Sequence, residues 1–469
     1  MTAGATERSP RPVARVELFI GKGGVGKTTL ACATALAYAR TGRRVLLASL
    51  DQAHSLGDAL GYRLQHGAKP AVASVPLPMF ATVAPELVNG RDPEATDPGL
   101  PVVGHGLTSA PNLDVIEVDS LALLEDRFRQ VLVLVMASGA GHEHGFDLGA
   151  LDPAELTGLP GVQELLALLE ITRFANDSRW EVIVLDCPPS ADMLRIITAP
   201  DTVLGYLERV WPAHARTMEA IGADFRKAVL AVAVEQIVQA VTEARDLLAD
   251  RTRTGARLVT AAEQVAVAES ARVRSAAALL GLRLDAILVN KVPPEMPPPH
   301  PAAPPHPAVQ WYFNRRGEQL DVVTELRERL RGVPVQVVGH AGSEPVGLSS
   351  LAALSYAVDA SGNWVGWRPI PMLGTDVDGV QSIAAEPVVR LESGAGVASV
   401  FAMRMHLPVV DASTLRLGRV EDDLIVGADG VRRRLRLAPV LRRCTVDAAE
   451  LDGDHLVIRF RPDPQVWPK

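Results

Sequence analysis

The sequence predicts an α/β fold with a mostly parallel sheet and helical insertions, followed by a small all-β sandwich. Three observations lead there. Up to about residue 360, apolar strand-like runs rich in Val, Ile and Leu alternate with helical patterns. Two of the intervening segments are too long and too helical to be simple crossovers. Beyond Gly396 the pattern switches to short alternating strands with turn signals between them. A chain of 469 residues also exceeds what one hydrophobic core supports, so at least two domains are expected.

Taken in chain order, VARVELFI, RRVLLASLD, NLDVIEV, WEVIVLDCPP, RLVTAA, LDAILVNKV and PVQVVGH read as strands. KTTLACATALAYART, VQELLALLEITRFAND and VAESARVRSAAALLGL have helical spacing, and Gly42 and Gly281 sit where C-caps should fall. The long helical segments run from Asp119 to Glu170 and from Pro200 to Thr254, and are expected to form a layer above the sheet. Their apolar stripes serve either as core or as a groove for a hydrophobic partner. Two Pro-rich stretches, residues 69–101 and 292–307, read as loops or extended linkers. The expected division is a first domain over 13–373, a linker over 374–396 and a sandwich over 397–465, with turns at Gly418, GADG and DGD.

Composition narrows the class of partner. The formal net charge of −8 argues against a general phosphate-backbone binder, so no nucleic acid is expected. The N-terminal MTAGATERSPRPVAR lacks the apolar core of a secretion signal, and no run of about 18 uncharged apolar residues is present. A cytoplasmic protein with no transmembrane segment is expected, with transient association at a membrane surface left open. Cys32, Cys187 and Cys444 are too far apart in sequence for a C-x-x-C pair or a disulfide framework, and read as small buried side chains.

The chemistry concentrates in FIGKGGVGKTTLA, Phe19–Ala31, which fits the phosphate-binding pattern G-x-x-x-x-G-K-[ST] between a strand and a helix. Gly21, Gly23, Gly24 and Gly26 let backbone N–H groups turn inward around phosphates, with Val25 and Thr29 completing the binding stretch. Lys27 is expected to reach the β- and γ-phosphate oxygens of a nucleotide, and Thr28 to ligate Mg2+. Asp51 and Asp186 close two downstream strands, where a carboxylate points into the ligand crevice of a parallel sheet. Asp186 suits the metal-holding role. Asp51 is a second candidate metal ligand and the candidate for orienting or deprotonating the attacking water. Lys22, a second lysine inside the loop, is not required by the bare pattern.

These residues resemble the arsenite-pump and tail-anchored-protein-targeting ATPases, within the deviant-Walker-A dimeric ATPases. The resemblance runs through GKGGVGKTT, SLDQAHSLGDALG (switch I), LTGLPGVQELLAL, VLDCPPSADMLRII (switch II), LVTAAEQVAVAESARV, ILVNKV and the purine-side loop VVGHAGSEPVGLSSL. It implies that Asn290 hydrogen-bonds the adenine edge and that Lys22 reaches across a homodimer interface to the partner's phosphates. Several positions depart from the family pattern: Gln52 replaces a proline in switch I, Cys187, Pro188 and Asp192 stand in switch II, and Ala262 precedes Glu263. Clustered thiolates for arsenite are missing, and so is the zinc-sharing C-x-x-C pair. His142 and His144 in GHEHGFD read as a solvated loop rather than a metal site. The C-terminal segment looks like an alpha-crystallin-type, small-heat-shock domain, which a branch of the same ATPases carries. Its arginines, Arg432, Arg433, Arg434, Arg436, Arg442 and Arg443, read as strand residues facing water.

The resulting expectation is an ATPase acting as a dimeric switch, which binds a hydrophobic or unfolded protein client and releases it by nucleotide state. A partition or positioning ATPase shares the loop and both aspartates, but needs a basic surface or a C-terminal amphipathic helix. A holdase built on the β domain, with regulatory ATP binding, is the third reading.

Overall fold

The computed structural model describes residues 13–40, 42–51, 55–62, 64, 73–75, 113–137, 162–222, 225–297, 306–330, 333–354, 387–407, 410 and 412–467. Gln52, His142 and His144, parts of both Pro-rich stretches and residues 374–386 lie outside them.

Seven of the strands are the seven apolar runs: β1 (Arg15–Gly21), β2 (Val45–Ser49), β4 (Leu113–Glu117), β5 (Val182–Asp186), β6 (Thr254–Ala261), β7 (Leu284–Val292) and β8 (Val335–Gly339). An eighth, β3 (Ala73–Val75), lies inside the first Pro-rich stretch and pairs antiparallel with β4. Three residues carry too little periodicity to be read as a strand. The order is β3-β4-β2-β5-β1-β6-β7-β8, and every pairing except β3 with β4 is parallel. Strands buried on both faces need continuous apolar sequence, which is why they were legible. Along β1, Val16, Leu18 and Ile20 join one core, with α4 (Val162–Asn176), α7 (Phe225–Ala249) and α9 (Pro307–Arg329). Phe19 joins the other, under α1 (Lys27–Arg40) and α10 (Leu348–Leu354).

The helical layer comprises α3 (Ser120–Ala137), α4, α5 (Ser190–Val210), α6 (Ala213–Ala220) and α7. Pro200, taken from sequence as the start of a segment, lies inside α5. Switch II therefore continues without a break into a helix of 21 residues. The buried guanidinium of Arg216 binds α6 to its neighbours, with Nε donating to Glu235 Oε2 at 3.1 Å and Nη1 3.8 Å from Glu208.

The sandwich pairs a four-stranded sheet, β14-β15-β10-β9, with a three-stranded one, β11-β12-β13. Its strands are β9 (Val388–Ser393), β10 (Val400–His406), β11 (Arg416–Val420), β12 (Asp423–Ala428), β13 (Val431–Arg436), β14 (Cys444–Asp452) and β15 (His455–Pro462). Two readings need correction. β9 falls in the stretch assigned to the linker, where flanking Gly and Ala residues masked a short strand that pairs with β10. Gly418 lies within β11 opposite Ile425, and the turn comes later, at Glu421 with φ of 52°. Among the arginines, Arg432, Arg434 and Arg436 face water as expected. Arg433 instead turns toward the first domain, its Nη1 donating to the Leu279 carbonyl at 2.6 Å. Leu279 and Ala278, from α8 (Gln264–Leu280), belong to the sandwich's own core, and Ser275 hydrogen-bonds Asp429.

Under the sheet, Glu17 of β1 and Arg257 of β6 form an ion pair with both side chains 0% exposed. Burial raises the Glu17 pKa, opposed by the Arg257 charge. Removing one partner of such a pair strands a charge in the core, whereas replacing both by apolar groups does not. Arg257→Ala is expected to destabilise the first domain by about 3–5 kcal/mol. The double change Glu17→Leu with Arg257→Met should cost less than that single change. Urea unfolding midpoints of the two variants check the ordering.

Candidate nucleotide site

β1 ends at Gly21 and α1 begins at Lys27, so the intervening loop sits at the C-terminal edge of the sheet. Two of its glycines are required by what surrounds them. A Cβ on Gly21 would lie 2.2 Å from the Val259 carbonyl oxygen of β6. One on Gly26, at φ of 96°, would lie 2.3 Å from Asn290 Nδ2. No side chain fits at either position. Val25 and Lys27 are buried, Thr28 and Thr29 half-buried, and Lys22, Gly23 and Gly24 exposed. The Lys27 ammonium lies over the loop, its Nζ donating to the Lys22 carbonyl at 3.1 Å. The first helical bond, Leu30 N–H to Gly26 O at 3.0 Å, aims the N-terminus of α1 at the loop. Free amides and the helix dipole at that point favour an anion.

The carboxylate that closes β5 faces this loop. Thr28 Oγ1 donates to Asp186 Oδ2 at 2.8 Å, and Ser49 Oγ donates to the same oxygen at 3.3 Å. Strand register sets this up, because Ser49 of β2 and Phe19 of β1 both pair with Asp186. Asp51, half-buried, is held by its own N–H donating to Ser49 Oγ at 3.2 Å. Ser55 Oγ lies 3.4 Å from Thr28 Oγ1. Burial is the largest influence on Asp186 and raises its pKa from 3.8 to about 6. Thr28, Lys27 and Ser49 pull it down, and Asp51 pushes it up. Among the described residues, the second oxygen, Oδ1, is buried without a hydrogen-bond partner.

The far side of the loop is held by β7. Asn290 Nδ2 donates to the Val25 carbonyl at 2.8 Å, and Asn290 Oδ1 accepts from Lys291 N at 2.9 Å. Lys291 Nζ donates to the Gly24 carbonyl at 3.0 Å. The loop after β8 is tied to α2 (Ser55–Leu60) by Gly347 N–H donating to Ala59 O at 2.9 Å. Gly57 of α2 is anchored in turn by its N–H donating to Glu117 Oε1 of β4 at 3.0 Å.

In switch II, Cys187 N–H donates to Phe19 O at 3.2 Å, and burial pushes the Cys187 thiol well up. Asp192 pairs with Arg195 at 3.2 Å and Pro189 lies beside Gly23. All the sequence-singled residues, Gly21 through Thr29, Asp51, Asp186 and Asn290, thus gather at one end of the sheet. Ser49, Ser55 and Lys291 join them without having been given roles. The two serines were present in the switch I motif, whereas Lys291 carried no sequence signal beyond its place after Asn290.

A glycine loop between strand and helix, with a threonine bonded to the carboxylate of a neighbouring strand, defines a P-loop NTPase. Lys22 within the loop places it in the deviant Walker A class. The anion-transporting ATPase family matches residues 14–72 and 104–359, and an HSP20-like domain found in ArsA matches residues 398–460. The chain belongs to this ATPase family, the arsenite-pump and tail-anchored-protein-targeting group that its motifs resemble, and to the part that carries the HSP20-like domain. It is therefore an ATP-binding, ATP-hydrolysing enzyme.

Protein Rv2184c of Mycobacterium tuberculosis is 42% identical over 97% of this chain and 98% of its own length. An uncharacterized protein of Streptomyces coelicolor is 30% identical over 97% of this chain and 99% of its own length. An Aquifex aeolicus protein that bears the name "Putative arsenical pump-driving ATPase 1" is 24% identical over 95% of this chain and 99% of its own length. Among the described residues no helix is long and apolar enough to cross a membrane.

The raised pKa of Asp186 has a consequence for the nucleotide-free protein. Stability tied to the neutral carboxyl is complete below its ordinary value of 3.8 and is lost as pH rises through about 6. Asp186→Asn is therefore expected to raise the melting temperature by a few degrees near neutral pH. The difference should shrink as the medium becomes acidic, which melting curves across pH test directly.

Proposed function

We propose that the protein is a Mg2+-dependent, dimeric nucleotide switch that binds a hydrophobic or unfolded polypeptide client and releases it by nucleotide state. The observation that carries this reading is the outer face of the helical layer. Tyr206 and Val210 of α5, Met218 of α6, Ile221 beyond it, and Leu230 and Val232 of α7 are all exposed, Ile221 at 77% and Met218 at 66%. Apolar side chains left exposed in this number on α5, α6 and α7 suit an apolar partner, and Ile221 and Val232 line one groove with Ala220 and Ala231. α5 is the helix into which switch II runs directly.

Thr28 and Asp186, with Asp51 close by, are the residues that would hold Mg2+. The buried, unpartnered Oδ1 and the raised pKa of Asp186 both fit a carboxylate suited to a cation. Bound with ATP, the ion supplies charge neutralisation at the β- and γ-phosphate oxygens. Lys27, moving from the Lys22 carbonyl, contacts the same phosphates, and Asp51 orients the attacking water. Asn290 reads the adenine edge. Lys22, exposed on the loop, serves the partner's phosphates in trans, as an arginine finger does. Release of the γ-phosphate is felt at Pro189 beside Gly23 and is passed along Asp186–Ile197 into α5. Cys32, Cys187 and Cys444 are each buried, so none of the three presents a thiol at the surface.

Lys27→Ala is expected to abolish ATP binding. Lys22→Ala should keep binding but lower kcat by roughly two orders of magnitude or more, the scale of losing a trans cation. Steady-state turnover and sedimentation with Mg·ATP check both. Undiminished turnover in the Lys22 variant, or a protein that stays monomeric with nucleotide, refutes the trans-dimer reading. Separately, Ile221→Asp combined with Met218→Asp should weaken capture of a fluorescent apolar peptide, and unchanged capture refutes this face as the client surface.

A further inference from the structure

Lys291 has a backbone that its side chain does not favour. Its φ is 64°, in the left-handed region that suits glycine, and it is one of three non-glycine residues with positive φ among those described. The cause is a bulge in the parallel pairing of β7 with β8. Register runs from Val289 opposite Val337 to Val292 opposite Gly339, which leaves Asn290 and Lys291 together across from Val338 alone. Bulges are rare in parallel pairs and cluster near functional sites, where they re-aim side chains. A glycine would form this bulge with less strain. The position holds a lysine instead, and its ammonium reaches back to the nucleotide loop.

That contact completes a two-point hold. Lys291 Nζ takes the Gly24 carbonyl at 3.0 Å, and Asn290 Nδ2 takes the Val25 carbonyl at 2.8 Å. In a planar trans peptide the C=O of one residue and the N–H of the next point in opposite directions. Holding the Gly24 carbonyl on the β7 side therefore turns the Val25 N–H away from β7, into the loop. Holding the Val25 carbonyl does the same for the Gly26 N–H. These are amides that a phosphate-binding loop must present. The bulge is what allows two adjacent residues to reach two adjacent carbonyls: in a regular strand, successive side chains point to opposite faces.

We propose that Lys291 is a positioning residue for the nucleotide: its cationic amine, aimed by the bulge, fixes the Gly24–Val25 peptide with its N–H toward the phosphates. It acts through the loop and sets affinity for the phosphate chain, while the hydrolytic step belongs to other groups. The inference rests on the loop being the ATP site, and ATP binding by the wild-type chain tests that premise separately.

The test uses three full-length proteins: wild type, Lys291→Gly and Lys291→Arg. Glycine keeps the bulge and relieves its strain while removing the amine, so a purely architectural lysine would be replaced without loss. The glycine variant is expected to melt no lower than wild type. Its KM for ATP and its Kd for ADP by titration calorimetry should rise at least fivefold, with kcat within twofold. In the nucleotide-free state its amides over residues 23–28 should exchange with deuterium faster. The arginine variant should recover most of the affinity. A glycine variant with wild-type KM and Kd overturns the proposal. So does an arginine variant as impaired as the glycine one, or a loss confined to kcat.

Discussion

A phosphate loop has to point several amides at one place, which obliges its carbonyls to find partners elsewhere. Here three strands meet that requirement. β6 presses the Val259 carbonyl so close to Gly21 that no side chain fits. β7 takes the carbonyls of Gly24 and Val25 through Lys291 and Asn290. β5 fixes the start of α1 through the bond from Thr28 to Asp186. With the loop constrained from below, from one flank and at its exit, the direction of its amides follows from covalent geometry. Most of the remaining site is arranged around that constraint: Ser49 braces both aspartates, and α2, in the second half of switch I, is anchored to β4.

The same sheet treats buried charge in two ways. Glu17 and Arg257, at 0% exposure, neutralise each other within the fold. Asp186, equally inaccessible, is only partly compensated: one oxygen takes bonds from Thr28 and Ser49, and the other has no partner among the described residues. Burial raises the Asp186 pKa in spite of Thr28 and Lys27, as it raises that of Glu17 in spite of Arg257. The two carboxylates differ in what faces them: an arginine locked into the core for Glu17, and the threonine that starts α1 at the phosphate loop for Asp186.

Much of this was legible in the sequence, for identifiable reasons. Central strands such as VIVLD of β5 are buried on both faces, so they appear as unbroken apolar runs. Gly21 and Gly26 are legible because neighbouring groups crowd the place a Cβ would take. Long-range pairing was not legible. Glu17 and Arg257 are 240 positions apart, and nothing in the sequence around either one pairs it with the other. Arg433 sat in a run of arginines with nothing to show that it alone faced α8. Lys291 was hidden for a related reason: its role depends on a bulge, which exists only in the pairing of two strands. Short elements failed differently, since β3 with three residues and β9 among glycines have too few side chains to establish a period.

The contact between the sandwich and the first domain also went beyond what a linker reading implied. α8 contributes Ala278 and Leu279 to the sandwich's core while packing against β6, β1 and α5. It begins at Gln264, three residues after the end of β6 at Ala261, the strand that walls the phosphate loop at Val259. One helix thus touches the wall of the nucleotide site, the helix that follows switch II, and the HSP20-like domain. The added contacts are specific, since Arg433 donates to a C-terminal carbonyl of α8 and Ser275 bonds the turn residue Asp429. Helix C-terminal carbonyls lack intrahelical donors and favour a cation, so Arg433 satisfies a requirement that α8 has on its own. The sandwich therefore supplies packing and capping to a helix of the ATPase body, and a displacement of α8 against the sheet has to move the sandwich or break those bonds.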